Sequence, residues 1–391
     1  MRTTLSLSIT LALALGANAV SAEARLGSSL QDVLGQGGTH EVIVTFRDAQ
    51  AARSISLYTL KYQLLRELPM AGAVLTRPQI EALAARDDVE SIYLNEPLSF
   101  GNYEAAEITG GHFVHDQYGA KGAGVTVAVI DSGIDANHPD LSYGSTTVQY
   151  VKLVGDLGLA GVAAAIENQP NTDTSSGHGT HVAGTVAGTG AASANDPRRA
   201  AYYDGIAPEA SLIGLGAGEG LNIFFALQGF DWVLANQQRY GIDIVTNSWG
   251  SSNSVYDPSN PINRASYEAY RRGMVVTFAA GNDGPTEDTL NPYAIVPWVV
   301  NVGSGTKDKG LSDFSSRGLA GDFYKHIDVV APGSGICSTR AIGTAIGATG
   351  ALLDPTDPTY TAYYHCISGT SMATPFVAGT AALMLEVNPE L

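Results

Sequence analysis

The run Val125-Thr126-Val127-Ala128-Val129-Ile130, closing on Asp131, most constrains what this 391-residue chain can fold into. It is continuously apolar or β-branched and lacks the alternation of a half-exposed strand, so both of its faces must be buried. Comparable runs recur at Ser211–Leu215, Ile242–Thr246, Met274–Ala279, Trp298–Val302 and Ile327–Val330. Helical patterning fills 178–188, 222–239 and 262–272 between them. Buried strands alternating with helices predict an α/β domain, a mostly parallel sheet with helices on both faces. A site in such a domain is expected beyond the carboxyl ends of the strands.

A different pattern precedes it. Glu41–Phe46 reads as a strand, 49–65 carries helical periodicity, and Ala71–Leu75 reads as a second strand. Pro78 suits the first turn of a helix running to Arg86, and Val89–Leu94 closes with a strand. These elements predict a small α+β unit. At the very start, Met1-Arg2 leads into an apolar stretch from Leu5 to Ala17 and small residues through Ala22. A charged start, a short apolar core and an A-x-A-like end, at Ala17-Asn18-Ala19 or Val20-Ser21-Ala22, predict a secretory signal peptide over residues 1–22 and a secreted, extracellular product. The stretch falls short of the roughly 20 apolar residues that span a bilayer, and no later one is long and charge-free enough.

The net charge of −17 and the lack of a basic cluster disfavour nucleic acid and anionic membranes as partners. Export permits a disulfide between the two cysteines, Cys337 and Cys366. Closing that loop would contribute about 3–4 kcal/mol in the chain-entropy model. Two free buried thiols are the alternative, and two cysteines are too few for the usual zinc site.

Three segments carry chemistry. Asp131 ends its strand in Val129-Ile130-Asp131-Ser132-Gly133-Ile134-Asp135, where an aspartate by itself reads as a turn former. Ser176-Gly177-His178-Gly179-Thr180-His181-Val182-Ala183-Gly184 holds two histidines three apart, without the four-residue spacing and glutamate of a zincin. Ser368-Gly369-Thr370-Ser371-Met372-Ala373-Thr374-Pro375 places Ser371 at the head of a helix, where a lone serine reads as an N-cap. Together they supply an acid, a base and a nucleophile in the chain order Asp…His…Ser. The three segments resemble the signatures of the subtilisin-like serine proteases, the subtilases, from about residue 120 to the end of the chain.

That resemblance implies Ser371 as nucleophile, His178 as its general base, Asp131 as the group orienting the imidazole, and His181 as structural. Asn282, in Ala279-Ala280-Gly281-Asn282-Asp283-Gly284, would donate to the oxyanion alongside the backbone N–H of Ser371. Ser248, Trp249 and Gly250 would line the substrate cleft, faced by Gly218 and Gly220, with a core aromatic as the other reading of Trp249. Residues 38–103 resemble the ferredoxin-like inhibitory propeptide of such enzymes, an intramolecular inhibitor removed by self-cleavage. Spacing from Tyr93 puts the cut at Tyr103–Glu104, with Tyr103 at P1, Phe100 at P4 and a catalytic domain over 104–391. The chemistry would need no cofactor, but the family implies structural calcium, with Asp140 matching one ligand position. Cys337 and Cys366 would flank an antiparallel ribbon leading to Ser371. Leu391 follows Ser371 by only 20 residues, where the family implies further helices and a strand, so a shortened C-terminus is expected.

The expected function is a secreted serine endopeptidase made as a self-processing zymogen, acting on proteins or peptides through an acyl-enzyme. Its alternatives are a catalytically incompetent fragment or propeptide-inhibited zymogen, a serine esterase or amidase, and a metallohydrolase built on His178 and His181.

Overall fold

The computed structural model describes residues 24–64, 69–94, 106, 108–154, 164–217, 221–252, 254–348 and 358–391. The expected signal segment 1–22, the Phe100, Tyr103 and Glu104 positions, and Gly218 and Gly220 lie outside the described residues. The chain divides into two compact units between Pro97 and Leu98.

The first unit is a five-stranded sheet in the order β1-β5-β2-β4-β3, with β1 at Arg25–Leu26, β2 at Thr39–Phe46, β3 at Tyr62–Leu64, β4 at Met70–Thr76 and β5 at Val89–Leu94. The central strand β2 runs antiparallel to β4 and β5. From β2 onward the connection is β-α-β-β-α-β, the ferredoxin-like arrangement. Val42, Val44 and Phe46 alternate inward from β2 onto Ile80, Leu83 and Ile92. The helix at Arg77–Ala84 has Pro78 in its first turn, and Gln79 Oε1 accepts from the Thr76 N–H at 2.7 Å.

The helix expected over 49–65 is much shorter. It spans Ala49–Ala52, continues as a 3₁₀ turn to Leu57, and the chain then becomes β3. Ser54 and Ser56 donate their hydroxyls to the Ala51 and Arg53 carbonyls, which competes with a continuing helix. Leu57 and Leu60 remain exposed, so the apolar periodicity there has no surface to pack on.

The second unit is built on eight strands in the order β13-β12-β11-β10-β6-β9-β7-β8. These are β6 (Thr126–Asp131), β7 (Thr147–Val154), β8 (Ala164–Ile166), β9 (Ser211–Gly216), β10 (Ile242–Asn247), β11 (Val275–Ala279), β12 (Val300–Gly305) and β13 (Val329–Pro332). All neighbours pair in parallel except the β7–β8 edge. Strand β6 explains the pattern that predicted it. Val127 and Val129 face one apolar cluster, Ala128 and Ile130 face the other, and every residue of the strand is buried. Helices His178–Ala187 and Thr370–Val387, here αH and αS, cover the first face. Helices Ile223–Tyr240 and Pro261–Arg271 cover the second.

From β6 the chain first builds the side carrying β7, β8 and β9, then crosses to add β10 through β13 on the other side. The carboxyl end of β6 is therefore a topological switch point, where ligands of open α/β sheets bind. Among the described residues, no helix is long and apolar enough to cross a membrane.

A two-stranded antiparallel ribbon, β14 (Ile336–Thr339) with β15 (Tyr364–Ile367), leads into αS. Cys337 and Cys366 lie directly opposite in its register and are disulfide-bonded, both fully buried. Replacing both by serine is expected to cost about 3 kcal/mol of stability, read as a lowered thermal midpoint. Intact mass should differ by two daltons with and without reductant, and an unchanged mass would count against the bridge.

Candidate active site

Each candidate residue sits at the end or start of a regular element. Asp131 is the last residue of β6, His178 the first of αH, and Ser371 the second of αS. Ser371 caps nothing: Gly369 is the N-cap, and the Ser371 hydroxyl donates to the Ser248 carbonyl at 2.8 Å.

His178 donates from Nδ1 to Asp131 Oδ1 at 2.8 Å, which leaves Nε2 as the side of the ring that can take a proton. Asp131 is 2% exposed and also accepts the Ser132 N–H, while its Oδ2 has no hydrogen-bond partner. Two glycines make this approach feasible. A Cβ at Gly179 would fall 2.3 Å from the Gly133 carbonyl, and Gly177, the N-cap of αH, has φ +85°. A side chain at Gly179 would push the histidine helix off the end of β6, and one at Gly177 would be strained in the left-handed region and would meet Thr344.

Asn282 lies in the loop after β11. Its Oδ1 accepts from the Thr370 N–H at 2.9 Å and the Thr370 hydroxyl at 3.0 Å. This fixes the carboxamide so that its NH₂ remains the donor facing outward. Ser371, in the first turn of αS, has a backbone N–H without an intrahelical acceptor. Asn282 and Ser371 share the lining of a pocket of about 190 Å³ with Trp249, Gly250, Asn291 and Asp283. Asn291 braces its walls, donating from Nδ2 to the Trp249 carbonyl at 3.1 Å and the Ala279 carbonyl at 2.8 Å.

Some expected roles differ. Ser248 is buried, its hydroxyl donating to the Ser371 carbonyl at 2.9 Å and its own carbonyl accepting from Ser371, so its polar atoms brace the nucleophile rather than the cleft. The Trp249 indole is a core group: its N–H donates to the Ile130 carbonyl at 2.7 Å and its ring packs edge-on against Phe278. Trp249 and Gly250 both line the pocket. Asp140 does not fit a calcium ligand. Its carboxylate is fully buried and already accepts from the Tyr364 hydroxyl at 2.7 Å and the Ala192 N–H at 2.9 Å. No group of three acidic, histidine or cysteine side chains suited to a metal occurs among the described residues. His181 is fully buried and bonds the Ile336 carbonyl at 2.9 Å. Burial holds it well below the usual histidine range, so it is a neutral tie between αH and β14.

Three participants were not read from the sequence. Thr370 and Asn291 are ordinary residues whose long-range partners no local pattern announces. Asp173 lies in a polar loop, yet it is 1% exposed and accepts from the Gly177 N–H, the Thr180 N–H and the Thr180 hydroxyl at 2.8, 3.1 and 2.6 Å. The signal was an acidic residue just upstream of a helix whose own N-cap is glycine.

A profile of the subtilase family matches residues 122–391. Serine protease AprX of Bacillus subtilis (strain 168) is 33% identical over 328 residues, covering 79% of this chain and 68% of that protein. Subtilisin DY of Bacillus licheniformis is 34% identical over 278 residues, 70% of this chain and 81% of that one. Among solved structures, Sphericase superposes with a TM-score of 0.53 at 25% identity, covering 76% of this chain and 82% of that one. The mostly parallel eight-stranded sheet with helices on both faces is a subtilisin-like α/β fold. The chain belongs to the subtilase family, and by that membership it is a serine-type endopeptidase.

Proposed function

We propose that the protein is secreted as a zymogen, processes itself, and then hydrolyses peptide bonds with Asp131, His178 and Ser371 as its triad. The observation that carries this reading is the bond from His178 Nδ1 to Asp131 at 2.8 Å at the sheet's switch point. With Nδ1 so committed, Nε2 takes the Ser371 proton as Oγ attacks the scissile carbonyl carbon. The carbonyl oxygen becomes an oxyanion, and Asn282 Nδ2 and the Ser371 N–H donate to it. The imidazolium then gives its proton to the leaving amine as the C–N bond breaks, and an acyl-enzyme remains. Water, deprotonated by His178, attacks that ester and regenerates Ser371. Side chains and backbone N–H groups supply every step.

The substrate is an extended protein or peptide segment whose P1 side chain enters the pocket behind Ser371. Trp249, Gly250 and Asn282 are among its lining residues, and Tyr103 at P1 with Phe100 at P4 suggests a taste for large apolar groups. The reading is tested by casein hydrolysis and by a fluorophosphonate probe. One label per chain is expected once the propeptide is removed, and no labelling would defeat it.

For the processing step, support comes from the ferredoxin-like connection of the first unit, which suits an inhibitory propeptide. The segment 1–22 then directs export. N-terminal sequencing of the mature protein is expected to begin at Glu104, and a start far from it would remove this part of the proposal.

A further inference from the structure

We propose that Asp173 is a positioning residue for the base: its buried carboxylate neutralises the helix end on which His178 stands, so that the imidazole can take up the Ser371 proton there. The proposal rests on the triad reading and adds a second carboxylate to it.

The physical problem is the placement of His178 as the first residue of αH. Aligned peptide dipoles leave roughly half a positive charge at a helix N-terminus, the wrong end for a cation. A histidine at such an end tends to stay neutral. Yet in both halves of the reaction this imidazole must become an imidazolium. Asp131 offsets the cost through Nδ1, from the end of β6.

Asp173 offsets it from the other side. The N-cap Gly177 offers no side chain; its own N–H goes to Asp173 Oδ1 and the Thr180 N–H to Asp173 Oδ2, while the Gly179 N–H donates to the Ser132 hydroxyl. The Thr180 hydroxyl adds a third bond at 2.6 Å and itself accepts the Asp135 N–H, tying the loop after β6 to αH. At 1% exposure the carboxylate is little screened by salt. Burial pushes this carboxyl upward and Asp131 adds to that, while the three donors oppose it. His181, on the same helix, is kept neutral by burial. Asp131 and Asp173 are two carboxylates whose charge favours the imidazolium.

The test is the pH profile of kcat/KM for the mature enzyme and for Asp173→Asn, which keeps size and shape but removes the charge. The acid limb, set by protonation of His178, is expected to move down by about one pH unit. A roughly tenfold loss of kcat with KM within about twofold should accompany it, because the imidazolium is more costly in the transition state but substrate contacts are untouched. Active-site titration with the fluorophosphonate corrects for misfolded enzyme. A purely structural role would lower the active fraction and leave the limb in place. In a Ser371→Ala background, the His178 ring titration followed by NMR should shift in the same sense without any turnover.

If Asp173→Asn does not fold, Thr180→Val takes its place. Without the hydroxyl donor Asp173 binds a proton more readily, so the limb should move in the same direction by less. A folded variant whose limb and ring titration both stay put overturns the proposal. Failure of the triad reading would show separately, as activity retained by Ser371→Ala.

Discussion

Ser371→Ala is expected to lower kcat on a peptide substrate by about 10⁶ and to abolish fluorophosphonate labelling. That scale is the one seen when subtilisin itself loses its nucleophile, carried here by family membership. In the proposed mechanism this hydroxyl forms the acyl-enzyme, so its removal leaves no nucleophile. His178→Ala should cost about as much, and the double variant little more, because the two act as a unit. Stability should change little. The lost bond from Ser371 to the Ser248 carbonyl contributes on the order of 1 kcal/mol, so the thermal midpoint serves as a control for folding. Retention of more than about a hundredth of the wild-type rate would sink the assignment.

Asn282→Ala is expected to lower kcat by about 10²–10³ with KM almost unchanged. This scale too belongs to the corresponding loss in subtilisin. Its physical basis here is the double hold on Oδ1 by Thr370, which leaves the NH₂ pre-aimed before substrate arrives. A donor aimed at the developing oxyanion acts chiefly in the transition state, so its loss appears in kcat. A rise in KM of the same factor with kcat preserved would instead make Asn282 a ground-state binding group.

The parallel sheet was legible because strands buried on both faces leave an unmistakable trace, as in Val125–Ile130. Strand β7 was not, since its Gln149 and Lys152 interrupt the apolar run; Gln149 is nonetheless buried, its amide donating to the Tyr240 hydroxyl at 2.9 Å. The helix expected over 49–65 stopped early because its apolar spacing is partnered only as far as Ala52, Ile55 and Tyr58, with Leu57 and Leu60 left exposed. The approach of the His178 segment to Asp131 was legible in part, because Gly177 and Gly179 record local steric demands. Ser248 and Trp249 also make contacts that their motif does not announce, because side-chain direction at a strand end depends on what the fold packs against it: Ser371 for one, Ile130 and Phe278 for the other.

By itself the sequence determined the α/β architecture, the order of acid, base and nucleophile, and the family that order belongs to. Those follow from periodicity and short motifs, which are properties of neighbouring residues. Tertiary structure alone decided that Asp140 is spent on Tyr364 and Ala192, that Thr370 orients Asn282, and that Asp173 sits under the helix bearing His178. Each of these is a hydrogen bond between residues far apart in sequence or outside any local pattern, and for Asp140 and Asp173 burial makes such a partner necessary, because a carboxylate removed from water is costly unless donors meet it.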